Sequence, residues 1–129
     1  MATGFRQMLD AAEAEVRSLE VAEAAALRGD PGVVFVDVRD PRELEREGAI
    51  PDMRHAPRGM LEFWIDPASP YHKPWLAADR LFVFYCAAGW RSLLAAQTAQ
   101  RMGLRSASLR GGFGAWRDAG LPVARREPR

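Results

Sequence analysis

The 129-residue chain carries 18 Lys and Arg against 17 Asp and Glu, a formal net charge of +1, with 48% of its residues hydrophobic. That length supports one packed core, the composition is that of an ordinary soluble domain, and the balanced charge argues against a nucleic-acid partner. The single cysteine, Cys86, excludes an internal disulfide and fits a reducing, cytoplasmic setting.

The opening stretch MATGFRQMLDAAEAEVRSLE carries acids throughout and no apolar run, so it reads as neither signal peptide nor membrane span. FRQMLDAAEAEV predicts a helix, with Phe5, Met8, Leu9 and Ala12 recurring at helical spacing. VRSLE follows as a weak strand. VAEAAALRGDPG is a helix stopped at Gly29, with Pro31 behind it. VVFVDV, residues 33–38, is an unbroken β-branched and aromatic run, suited to a strand buried on both faces. DPRELEREG predicts a short helix capped by Asp40, with Pro41 first and Gly48 after its end.

MRHAPRG holds a short strand, and residues 60–80, rich in prolines and large aromatics, read as a long irregular loop. Such a loop either packs over the sheet or shapes a pocket. LFVFY, residues 81–85, is the second wholly apolar strand, and RSLLAAQTAQRMG a helix ending at Gly103. SASLRGG and FGAWRDAGLP supply the last strand and helix, with Phe113 and Trp116 in the core and Gly111 and Gly112 in the turn between. This alternation predicts an α/β fold: a central parallel sheet of about five strands with helices on both faces. The organisation expected is a helical extension over residues 1–14, one domain over 15–125 and a short tail over 126–129.

Open parallel sheets bind ligands beyond the carboxyl ends of their strands, and Cys86 follows LFVFY at such an end. The small residues Ala87, Ala88 and Gly89 let the chain curl, aiming amides inward at a helix N-terminus. That field stabilises a thiolate, and Arg91 brings a permanent cation. A lone cysteine after a strand is more often a buried hydrophobe; the curl, the arginine and the helix start reverse that reading. Asp37 and Arg39, ending VVFVDV, are expected beside the loop, where a carboxylate can orient an arginine.

With those residues in view, the chain resembles the rhodanese-like sulfurtransferase family from about residue 15 to residue 123. FVDVRDPRELEREGAIP is similar to that family's first signature, YCAAGWRS to its active-site loop, and LRGGFGAWRDAGLPV to its closing signature. APRGMLEFW and DPASPYHKP also look like a bacterial subgroup of single-domain members. The resemblance departs at Ala49, where the family carries a histidine, and at Ala87, Ala88 and Trp90, where thiosulfate-preferring members carry basic residues.

The resemblance implies that Cys86 takes a sulfane sulfur from thiosulfate or a low-molecular-weight persulfide and passes it to a thiol or cyanide. It implies no cofactor beyond the covalent persulfide, and the partners expected are a small sulfur donor, a thiol acceptor and, as an option, a protein sulfur carrier. No second cysteine exists to resolve the persulfide internally, so the acceptor comes from outside. Arg91 is expected to support the thiolate and persulfide or to brace the loop through a salt bridge, and both can hold together. Ala87, Ala88, Gly89 and Trp90 form the persulfide-binding loop, with Trp90 either a pocket wall or an outward patch for a partner.

Arg58 is a candidate for the pocket mouth, otherwise a solvated charge, and Phe63, Trp64 and Trp75 are candidate pocket walls. His55 and His72 read as structural, and no metal-ligand spacing is present. Two rivals remain. A docking or sulfur-sensing module without catalysis is one, although docking modules often lose the cysteine. A phosphatase or arsenate reductase is the other, since cell-cycle dual-specificity phosphatases resemble the same family; their loop has five residues between cysteine and arginine, and this one has four.

Overall fold

The computed structural model describes residues 2–125; the tail assigned to residues 126–129 lies outside the described residues. In chain order the elements are α1 (Phe5–Glu15), β1 (Arg17–Leu19), α2 (Val21–Leu27), β2 (Val33–Asp37), α3 (Pro41–Glu47), β3 (Arg54–His55), α4 (Leu61–Ile65), β4 (Leu81–Tyr85), α5 (Trp90–Arg101), β5 (Arg105–Leu109) and α6 (Gly112–Asp118). The five strands form one sheet in the order β1-β5-β4-β2-β3. Every pairing is parallel. The α/β architecture expected from the alternation is the one observed.

Sheet alternation sorts the core into two layers. Phe82, Phe84 and Cys86 face the layer that holds Ala12 of α1, Leu61 and Ile65 of α4, and Leu93, Ala96 and Ala99 of α5. Val83 and Tyr85 face the opposite layer, with Ala24 of α2 and Phe113 and Trp116 of α6. The residues of β4 from Phe82 to Tyr85 are fully buried, which is why this strand reads as an unbroken apolar run. Each such side chain contributes about 1.5–3 kcal/mol relative to exposure. Cys86 thus continues the face that looks at α5.

The helix boundaries follow the local chemistry. At α3 the Asp40 side chain accepts from the Arg42 amide at 2.8 Å, while Glu43 reaches back to the Asp40 amide at 3.0 Å. This reciprocal cap fixes the Glu43 side chain as well as the helix start. Residues 60–80 are less irregular than their prolines suggest, because α4 and a 3-10 turn at Pro74–Ala77 form inside the stretch. Leu61, Ile65 and Leu76 are buried there, so tertiary packing overrides weak local propensity. Among the described residues no helix is long and apolar enough to cross a membrane.

A buried ion pair ties the ends of β2 and α3 together. Arg39 is fully buried, and its guanidinium forks onto Asp37 at 2.7–3.1 Å and reaches the Gly48 carbonyl at 2.7 Å. Its plane also lies over the Phe113 ring at 4.5 Å. Burial works against the charge on Arg39, yet the Asp37 bonds hold its ionisation above the ordinary value. A pair this fully satisfied is a rigid hub, and removing one member strands a buried charge.

Candidate active site

Cys86 begins the connection from the central strand β4 to α5. Gly89 caps that helix at φ +107°, a left-handed conformation that other residues rarely adopt. The turn brings the Gly89 amide to 3.1 Å and the Ser92 amide to 3.4 Å from the Cys86 sulfur. Both point positive hydrogen at the sulfur, and the N-terminal end of the twelve-residue α5 adds its dipole in the same sense. Along the curl of Ala87, Ala88 and Gly89 into α5, the two amides within bonding distance of the sulfur belong to Gly89 and Ser92.

The loop is held open by α6. The Phe113 amide donates to the Cys86 carbonyl at 2.7 Å and the Gly114 amide to the Ala87 carbonyl at 3.1 Å. With those carbonyls drawn outward, the neighbouring amides are left to face the sulfur. Gly112 permits the approach: at φ +61°, a Cβ there would overlap the Cys86 carbonyl oxygen and sit 2.7 Å from that of Ala87. The GG pair in LRGGFG therefore serves the loop as well as the turn.

A hydroxyl chain completes the cradle. The Cys86 thiol donates to Ser92 Oγ at 3.6 Å, Ser92 Oγ donates to the Gly89 carbonyl at 3.2 Å, and Ser108 Oγ lies 3.0 Å from Ser92 Oγ. Ser92 has one proton to give. When the sulfur is a thiol, that proton serves Gly89; when it is an anion, the hydroxyl can turn to the sulfur. Ser92 and Ser108 are both buried, and Cys86 is 1% exposed.

Arg91 is engaged by α3. Its two terminal nitrogens meet the Glu43 carboxylate at 2.9 and 3.0 Å. The Arg91 bonds, opposed in part by burial, bring the Glu43 carboxyl down to about 2. The Glu43 bonds in turn raise Arg91 above its ordinary value, and Cys86 contributes in the same direction. The arginine therefore sits beside the sulfur with most of its charge already matched. Asp37 orients Arg39, its neighbour at the end of β2, and not Arg91.

The remaining candidates are dispersed. Arg58 pairs with Glu62 at 2.9 Å and approaches Thr98 at 3.4 Å, two turns along α5 from the loop. Trp64 and Trp75 pack against the core from the edge of the sheet, beneath Lys73 and Arg54 respectively, and Phe63 is exposed. None of the three lines the cavity beside the loop. That cavity, of about 400 Å³, is bounded instead by α1, the end of β5 and Ala88, Gly89 and Trp90 of the loop. Trp90 is 59% exposed and its ring lies 5.4 Å from that of Phe5. Ala49, where the resemblance leads one to expect a histidine, is buried and pairs with Ala124. His55 and His72 reach backbone carbonyls of Arg39 and Trp64 at 2.7 and 2.9 Å.

Sequence reasoning missed Glu43, Ser108 and the α1 wall. Glu43 carried one signal, its place three residues after the helix cap; Ser108 carried none beyond its alternation with Ala107 and Leu109.

Among known proteins, the family model described as Rhodanese-like domain matches residues 20–119. A structure from Rhodopseudomonas palustris CGA009, described as a protein of unknown function and possible tyrosine phosphatase, is 56% identical, with TM-score 0.93 over 95% of this chain and 96% of that one. A rhodanese-related protein from Thermoplasma volcanium is 27% identical, with TM-score 0.67 over 83% of this chain and 96% of that one. A thiosulfate sulfurtransferase from Pseudomonas aeruginosa is 25% identical, with TM-score 0.73 over 95% of this chain and 22% of that one. No curated protein matches the sequence significantly.

Proposed function

Because the chain belongs to the rhodanese-like domain family, we propose that it is a sulfurtransferase that carries sulfane sulfur as a persulfide on Cys86. The observation that carries this reading is a covered sulfur held by two amides, Gly89 and Ser92, at the end of the central strand. A site so enclosed suits the arrival of one sulfur atom at a chain end more than a bulky tetrahedral group.

The steps balance as two displacements. The Cys86 thiolate attacks the outer sulfur of a donor R–S–SH, the donor's S–S bond breaks, and R–S⁻ leaves. Cys86 then holds S–SH, which gives its proton to solvent. An acceptor such as cyanide attacks the outer sulfur of the Cys86 persulfide anion, leaving as thiocyanate and restoring the thiolate. The amides of Gly89 and Ser92 act as donors already in place for the negative sulfur. The Ser92 hydroxyl turns from Gly89 to the sulfur when charge develops there. Arg91, braced by Glu43, contributes a weak positive field and stiffens the helix start.

A second reading, hydrolysis of phosphotyrosine, is favoured by the description of the Rhodopseudomonas palustris protein. Against it stand the four-residue loop and the fork of Arg91 on Glu43, because both terminal nitrogens that would clasp phosphate oxygens are occupied. The test is turnover. With a persulfide donor and cyanide, thiocyanate forms faster than without protein and Cys86→Ser abolishes the excess, while aryl phosphates give no Cys86-dependent hydrolysis. The reverse pattern replaces this proposal with the phosphatase.

A further inference from the structure

One wall of the cavity beside the loop is built from residues that the family match does not include. Four of its lining residues, Arg6, Leu9, Asp10 and Glu13, come from α1 and a fifth, Ser18, from β1, all before residue 20. Their spacing places the four α1 residues on one face of the helix. Its volume, about 400 Å³, falls in the range of small-molecule sites, roughly 300–1,000 Å³. It is also next to the sulfur: Gly89 lines the cavity with one side of its backbone and bonds the Cys86 sulfur with its amide at 3.1 Å.

The charges in this groove are of both signs and are unequally engaged. Arg110 is held by Glu13 at 2.6 Å and by Glu20 at 3.3 Å. Arg6 lies over the Phe5 ring at 5.2 Å, and among the described residues neither Arg6 nor Asp10 makes an ion pair. One helical turn apart on the same face, they offer a cation and an anion side by side, as a small molecule carrying both a carboxylate and an ammonium requires. Trp90 and Phe5, 59% and 53% exposed, leave apolar area at the same edge. By contrast, a compact inorganic dianion meets no unmatched cation at the loop, because Arg91 is neutralised by a Glu43 that stays ionised down to about pH 2.

We propose that the groove between α1 and the sulfur loop binds the organic part of a zwitterionic cysteinyl-peptide persulfide, with Arg6 taking a carboxylate and Asp10 the ammonium. This rests on the sulfur-transfer reading for its purpose but not for its test. Gly89 both lines the groove and bonds the Cys86 sulfur, so a peptide held against α1 presents its sulfur end at the loop that carries Cys86. Donor choice is thereby made by α1, outside the catalytic loop.

The test is calorimetric titration of the full chain with S-methylglutathione, which has the peptide charges and no transferable sulfur. Binding is expected, weakened about tenfold in the Arg6→Ala/Asp10→Ala double variant. Alongside it, the ratio of Cys86 loading rates from glutathione persulfide and from inorganic polysulfide is expected to fall about tenfold in the same variant. Absent binding, or equal binding and an equal loading ratio in both proteins, overturns the groove while leaving sulfur transfer standing. Failure of every donor to load Cys86, with peptide binding intact and sensitive to the variant, overturns transfer and leaves the groove as a peptide site.

Discussion

Replacing Ser92 by alanine isolates the hydroxyl from the amide, because the backbone N–H that approaches the sulfur at 3.4 Å remains. The hydroxyl has three neighbours: Cys86 Sγ at 3.6 Å, the Gly89 carbonyl at 3.2 Å and Ser108 Oγ at 3.0 Å. A hydrogen bond to a charged partner contributes about 1.5–3 kcal/mol. If the hydroxyl serves the anionic sulfur, its loss slows loading of Cys86 by about 10–100-fold. The substitution also leaves Ser108 buried without its partner, at about 1–3 kcal/mol of stability. Time-resolved mass spectrometry of sulfur uptake reads the first effect and urea unfolding the second. Ser108→Ala leaves the Ser92 proton free to reach the sulfur, so its loading defect should be smaller than that of Ser92→Ala. A folded Ser92→Ala protein that loads within twofold of the parent would refute a catalytic part for the hydroxyl.

Three further outcomes are expected. Gly112→Ala places a methyl on the Cys86 and Ala87 carbonyls, so urea unfolding should show a loss of about 3 kcal/mol, with slower loading as the loop carbonyls shift; unchanged stability would contradict the close approach. Arg39→Met leaves Asp37 buried and uncompensated and should cost about 3–5 kcal/mol, whereas Asp37→Leu/Arg39→Met should recover much of it; a double variant no better than the single would show that the pair is not the source. Glu43 has a carboxyl depressed to about 2 by Arg91, so its contribution is fully present above its ordinary pKa and is lost as pH falls through about 2. Arg91 is 43% exposed, and screening limits the effect to about 1 kcal/mol. Glu43→Gln should therefore lower stability more at pH 7 than at pH 2, as read by thermal unfolding at each pH; an equal loss at both would remove the ion pair as its cause.

The strands that position the site were legible because burial on both faces forces runs such as VVFVDV and LFVFY. Cys86 at the end of one run, with Gly89 and a helix start behind it, followed directly from the chain. What the sequence withheld was lateral placement. Glu43 and Arg91 are 48 positions apart, and only the neighbouring of β2 and β4 brings α3 to the loop. The periodicity of Phe5–Glu15 marks a helix but not the loop it lies over, so the wall made by Arg6 and Asp10 was invisible and Phe63, Trp64 and Trp75 were candidates in its place. Prolines around residues 66–74 likewise masked α4, which forms because Leu61 and Ile65 find the core.

The most direct measurement is peptide mapping by mass spectrometry after the protein is mixed with glutathione persulfide and freed of donor. The account requires one added sulfur atom on the peptide containing Cys86, released as thiocyanate by cyanide and missing from Cys86→Ser. An unmodified Cys86 peptide after exposure to each donor class, in protein shown to be folded, would contradict it.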